Sequence, residues 1–387
     1  MRGTARLWTL LGLAAAAHCA AAAPSRFVPA NRQFAVANVS RAAPDAALRE
    51  RILAWQAEPA GGARAALAQV FLDRAHSLRE PMFVGRAEAL LAPSAKAGTA
   101  SADERRLYAY TLQYRHDFAN AETLLDGILA AAPRDSAARV QRASIRLVRG
   151  EFAAARADCA QLLAAGDAAA TVGAACLAES FAGTGDLARG QLLLASFPLR
   201  ADADAASRAY LLTVRAELAE RAGRPAQAAA DYAAAVALTP ESDPARASQA
   251  DLFLERGERA AAAAALDVER PSLALLVRQA LASKGEQRAE LQSRAASWLE
   301  LERSRGDVAH DREAAMLALD AGDPVAAVQA ARANFERQRE LPDVRILARA
   351  ATAARDREAL QVLRDWLSTT KFADVVTAEI LAGAARG

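Results

Sequence analysis

Beyond His18 the sequence has three histidines, His76, His116 and His310. Histidine is the side chain best suited to proton transfer and metal ligation near neutral pH. These three stand far apart in the chain, and no HExxH or CxxC spacing accompanies them. There is no GxSxG turn to present a nucleophile and no glycine-rich phosphate loop or dinucleotide fingerprint. Gly183-Thr184-Gly185 fits a helix-ending turn instead. No catalytic, cofactor-binding or metal residue is assigned, and no cofactor is expected. Carboxylates are abundant, so a periplasmic hydrolase using a carboxylate pair on a helical scaffold is the alternative reading. Cys159 and Cys176 form a candidate disulfide if the protein is exported. The other reading of that pair is two small buried apolar residues.

The composition points to helices as the elements that position these groups. Alanine fills more than a quarter of the 387 residues, while aromatics make up only 5%. Alanine favours helix and fills space poorly, so an alanine-rich chain folds by letting helices approach closely. The 14 prolines and 20 glycines are scattered, which argues against a sandwich, a barrel or long disorder.

Residues 1–22 have the layout of a secretory signal peptide. Arg2 and Arg6 precede an apolar run from Leu7 to Ala17, and a small-residue tract follows. Cleavage after Ala22 is expected. His18 before Cys19 does not suit a lipid anchor. Residues 23–44 are expected to form a flexible arm. No later stretch is long and apolar enough to span a bilayer, so the expectation is a periplasmic protein without a membrane span. Loss of Arg2 and Arg6 brings the formal charge from +2 to zero, which gives no electrostatic case for nucleic acid.

A unit of about 34 residues recurs. The first, from Ala102 to Asp135, places Ala109, Phe118, Ala121, Leu125 and Pro133 at unit positions 8, 17, 20, 24 and 32. Units starting at Ser136, Thr171, Ala209 and Asp243 follow in phase. Ala143, Ala178, Ala216 and Ala250 fall at position 8, and Gly150, Gly185, Gly223 and Gly257 at position 15. Small residues at 8 and 20 let two helices touch, and a large residue at 24 plugs the gap to the next unit. Glycine near 15 ends the first helix, and proline near 32 stops the second.

This pattern resembles the tetratricopeptide repeat (TPR), as found in exported bacterial proteins. The resemblance implies an all-α right-handed superhelical solenoid of antiparallel helix pairs. It is specific over residues 101–276, and 45–100 and 277–387 are expected to hold degenerate helical repeats. FVGRAEALLAPSA looks like a second helix ending at Pro93. Asp343 to Leu367 is expected to form the last helical pair, with Trp366 as its anchor. Arg139, Arg142 and Arg146 fall on the first helix of the second unit, and their heads are expected to reach the surface.

In a TPR superhelix the first helix of each pair lines the concave groove. The resemblance therefore places Arg106, Tyr110, Gln113 and Tyr114 in the groove at one end. Glu179, Glu217 and Asp251 share position 9 of three successive units, with Glu220 and Glu255 beside them. They are expected to form an acidic ladder for a basic or mixed-charge segment of a partner. The function this implies is non-enzymatic: protein–protein interaction or scaffolding in the bacterial envelope, with another protein or peptide as partner.

Overall fold

The computed structural model describes residues 46–58, 62–166, 169–198, 203–304 and 310–384. The chain divides into Met1–Ala46 and Ala47–Gly387, and the fold below is that of the second unit. The signal-peptide and arm assignments lie outside the described residues.

The described residues contain twenty helices and no strand. The N-terminal flank holds α1 (Ala46–Ala57), α2 (Gly62–Leu78) and α3 (Met82–Lys96). Five helix pairs follow: α4 (Ala102–Tyr114) with α5 (Phe118–Ala131), α6 (Ser136–Val148) with α7 (Phe152–Ala165), α8 (Ala169–Gly183) with α9 (Leu187–Ser196), α10 (Ala205–Arg221) with α11 (Pro225–Leu238), and α12 (Asp243–Glu255) with α13 (Arg259–Ala265). The C-terminal part comprises α14 (Leu273–Ala282), α15 (Gly285–Ser304), α16 (Asp311–Asp320), α17 (Pro324–Arg337), α18 (Leu341–Ala354), α19 (Arg357–Thr370) and α20 (Val375–Ala384). From α2 to α19 each helix packs on the next, and α20 packs on α18. The architecture is an all-α solenoid of helix pairs, as the repeat pattern implies.

The alanine positions are where the helices of each pair meet. Ala109, Ala143, Ala178, Ala216, Ala250 and Ala315 at position 8 are at most 1% exposed. Ala121, Ala155, Ala228, Ala262 and Ala327 at position 20 are fully buried. The third unit has Gly190 at position 20. A Cβ there would stand 2.5 Å from the Ala178 carbonyl oxygen, so this pair closes one methyl tighter than the others. Leu125, Cys159, Tyr232 and Leu266 fill position 24 and are also buried. Cys159 of α7 is bridged to Cys176 of α8, with Cα atoms 5.4 Å apart.

Three local expectations are corrected. α3 runs past Pro93 to Lys96, with the Ser94 hydroxyl donating to the Leu91 carbonyl. The last pair does not end at Leu367: α19 continues to Thr370, and α20 follows. The heads of Arg139, Arg142 and Arg146 do not go to the surface. They converge on Asp158 of α7, which is 1% exposed, at 3.0, 2.6 and 3.0 Å. A buried carboxylate needs compensating charge, and three stems on one helix face deliver it.

The C-terminal helices fold back along the edge formed by the turns of the repeats. The Arg339 amide donates to the Val148 carbonyl at 2.7 Å. Trp366 is packed among Phe152, Phe335 and Phe372, with ring centroids 6.3, 5.4 and 5.2 Å away, so it is the expected anchor. Gly150 has a φ of 73° and lies beneath Arg339 and Trp366. Gly185 has a φ of 91°, and a Cβ there would stand 2.6 Å from Lys371 Cβ. Glycine at position 15 thus serves two purposes in these units: it supplies the left-handed turn, and it leaves room for the returning chain.

Candidate interaction face

The groove residues named from the repeat register separate into two groups. Arg106, Tyr110, Gln113 and Tyr114 all lie on α4. The Ser101–Glu104 capping box fixes the start of that helix. Arg106 is partly exposed and sits 3.8 Å from Asp103. Tyr110 and Tyr114 are 42% and 37% exposed. The Gln113 amide reaches Ser144 Oγ at 3.5 Å. Tyr110, Gln113 and Tyr114 line a cleft of about 310 Å³, whose other wall includes His116, His310 and Gln338. His116 stacks on Phe118, and its Nε2 is 3.3 Å from the Gln338 amide nitrogen. Burial, together with the positive surroundings of His310, Arg337 and Arg312, lowers its pKa to about 4. At neutral pH it is an uncharged ring that can accept from Gln338.

The acidic group is met by the chain itself. Arg345 of α18 is 4% exposed and donates to Glu220 of α10. The same guanidinium reaches Glu255 of α12 at 2.7 Å and Asp374 at 2.7 and 2.9 Å. Arg349, one turn further along α18, reaches Glu255 at 3.1 Å. Arg278 of α14 holds Asp251 through two bonds of 2.9 and 2.7 Å. Glu179 accepts from the Tyr210 hydroxyl at 3.0 Å, and Glu220 from Tyr232 at 3.0 Å. The Glu217 carboxyl has no hydrogen bond or ion pair among the described residues. The basic segment expected from a partner is therefore supplied in large part by α18 and α14.

Burial governs the electrostatics here. It pushes Glu255 up to about 7 against the pull of Arg345 and Arg349. Asp374 also feels burial, yet its bonds to Arg345 and Thr377 hold it below the usual carboxylate range. Arg345 is held above its ordinary value, because Asp374, Glu220 and Glu255 outweigh its desolvation.

Arg345, Arg349 and Arg278 do not figure in the repeat register. The visible signal was the i, i+4 spacing of Arg345 and Arg349 on a helix with otherwise apolar neighbours. Nothing local tied that pair to acids 90 and 125 residues earlier. Among the described residues no cluster of His, Cys, Asp and Glu is arranged to hold a metal ion, and no helix is long and apolar enough to cross a membrane.

No protein-family model and no curated protein matches the sequence. Solved structures do match. One is the APC/C hetero-tetramer Cut9-Hcn1, at 14% identity and a TM-score of 0.47, covering 78% of this chain and 59% of that one. This chain thus spans about three fifths of the length of that structure. A tetratricopeptide repeat protein from Parabacteroides merdae matches at 15% identity and a TM-score of 0.36, covering 73% of this chain and 98% of that one. The TPR domain of P58(IPK) matches at 15% identity and a TM-score of 0.25, covering 82% and 97%. These are likenesses of helical-repeat fold, and fold alone does not set function.

Proposed function

We propose that this is a non-enzymatic binding or scaffold protein, exported to the periplasm, whose partner is another protein or peptide. The observation that carries the reading is the pair of exposed rings, Tyr110 and Tyr114, one turn apart in the lining of the cleft beside Gln113. Exposed aromatics on a rigid helix give contact area at little entropic cost, and such residues recur as binding anchors. Repeat stacks present such faces rigidly, because each unit is held by its neighbours. With Glu220, Asp251 and Glu255 engaged by arginines of the same chain, the aromatic end is the part of the groove best placed to take a partner. Arg106 and the carboxylates that remain accessible would add charge selectivity at its margin.

Export rests on Arg2, Arg6 and the apolar run that follows them. N-terminal sequencing of fractionated protein tests it; a chain starting near Ala23 in the periplasm is expected, and a full-length cytoplasmic chain rejects it. The binding face is tested with a photo-crosslinking residue in place of Tyr110. A stoichiometric partner is expected, and its capture should be lost when Tyr114→Ala is added. A partner whose capture is indifferent to both tyrosines places the contact elsewhere.

A further inference from the structure

A cavity of about 280 Å³ lies where the C-terminal helices meet the repeat stack. Glu179 of α8 and Glu217 of α10 line it from the stack, and Glu340, in the link between α17 and α18, lines it from the other side. Four arginines share its wall, and three of them are bonded only to other groups. Arg221 donates to the carbonyls of Ala182 and Ala373. Arg278 holds Asp251 and Glu313. Arg339 donates to the carbonyls of Phe335 and Arg149. Arg312 is divided between Asp343 and Glu340. The other wall acids are matched as well: Asp243 pairs with Arg79, Asp251 with Arg278, and Glu313 with Arg278 and His310. Nearby, Glu220 is held by Arg345. Among the described residues the Glu179 carboxyl is bonded only to the Tyr210 hydroxyl. The cavity thus gathers three carboxyl groups from both sides of the junction, and among the described residues the only cation bonded to any of them is the shared Arg312.

We propose that docking of α17–α20 onto the repeat stack is coupled to proton uptake, with the proton held among Glu179, Glu217 and Glu340. Like charges brought together out of water cannot all stay ionised. Burial pushes Glu179 up to about 7. It raises Glu217 as well, with Glu179 and Glu340 adding repulsion. Glu340 is raised by burial in spite of Arg312. The docked form binds the proton more tightly than the undocked form, so docking is favoured by acid. It weakens as pH rises from the ordinary carboxylate value of 4.5 through about 7, by up to about tenfold per pH unit for each linked proton. The pH of the surroundings would then set how often the groove positions facing α18 are uncovered.

Hydrogen exchange on the full chain, corrected for the intrinsic rate, tests this. Exchange in α18 and α19 is compared with exchange in α4–α7 at about pH 5.5 and pH 8. The ratio of opening frequencies is expected to rise at least about tenfold at the higher pH. Glu217→Gln, which keeps the shape of the neutral acid, should remove most of that rise, and Glu179→Gln should reduce it. A ratio that does not change with pH overturns the proposal. So does an undiminished rise in both variants.

Discussion

His116 stands at the turn position that Gly150 holds one unit later, and both backbones are left-handed, with φ of 59° and 73°. In the left-handed region a non-glycine residue costs roughly 1–2 kcal/mol. At position 15 the first repeat therefore carries a ring where the next four units, and the one at Gly322, carry only a hydrogen atom. That ring stacks on Phe118 and faces Gln338 of the returning chain. His116→Gly relieves the backbone but loses those contacts, so thermal stability should change by less than about 1 kcal/mol. His116→Val keeps bulk on a β-branched carbon in the same conformation and should cost about 2 kcal/mol or more. Equal melting temperatures for the two variants would contradict this account of the turn.

Ala216 and Ala228 are fully buried in one apolar cluster, whereas Ala230 on the same helix as Ala228 is exposed. Enlarging either buried residue to leucine should cost roughly 1–3 kcal/mol by overpacking. Ala230→Leu should stay within about 0.5 kcal/mol of the wild type. Denaturant midpoints at constant slope distinguish the three variants.

The Cys159–Cys176 bridge closes a short loop, with 17 residues of sequence separation. In the chain-entropy account a loop of this size is worth about 3 kcal/mol. Reduction should lower the unfolding free energy by about that amount, and thiol titration of the denatured, unreduced protein should find neither cysteine free. Two titratable thiols in protein purified from an oxidising compartment would exclude the bridge.

Arg345→Ala should be among the most damaging single changes in the molecule. It leaves Glu220, Glu255 and Asp374 without the guanidinium that joins them. Stranding buried charge in this way costs about 3–5 kcal/mol. Arg345→Ala combined with Glu220→Gln and Glu255→Gln should recover part of the loss, because two of the three stranded carboxylates are then replaced by neutral amides and only Asp374 remains. If the triple variant is as unstable as Arg345→Ala alone, the arginine acts mainly through packing of its stem.

The helix-pair architecture was legible because its determinants are local and periodic. Alanine at positions 8 and 20, a plug at 24 and glycine at 15 each depend on contacts within one unit or with the next. The neighbouring places of Cys159 and Cys176 followed from the same short-range logic. Trp366 was legible as an anchor because a large ring in an alanine-rich chain has few places to pack, although its partner Phe152 lies more than 200 residues away. The tertiary structure alone decided where the charges of the groove go. Glu220 and Glu255 have the same repeat positions whether the groove is empty or filled. Arg345 meets them only because the small rotations between successive units accumulate until α18 returns to the stack. That sum over many interfaces is not written in any one repeat. For the same reason Asp158, an unremarkable helix residue in sequence, became the buried focus of three arginines.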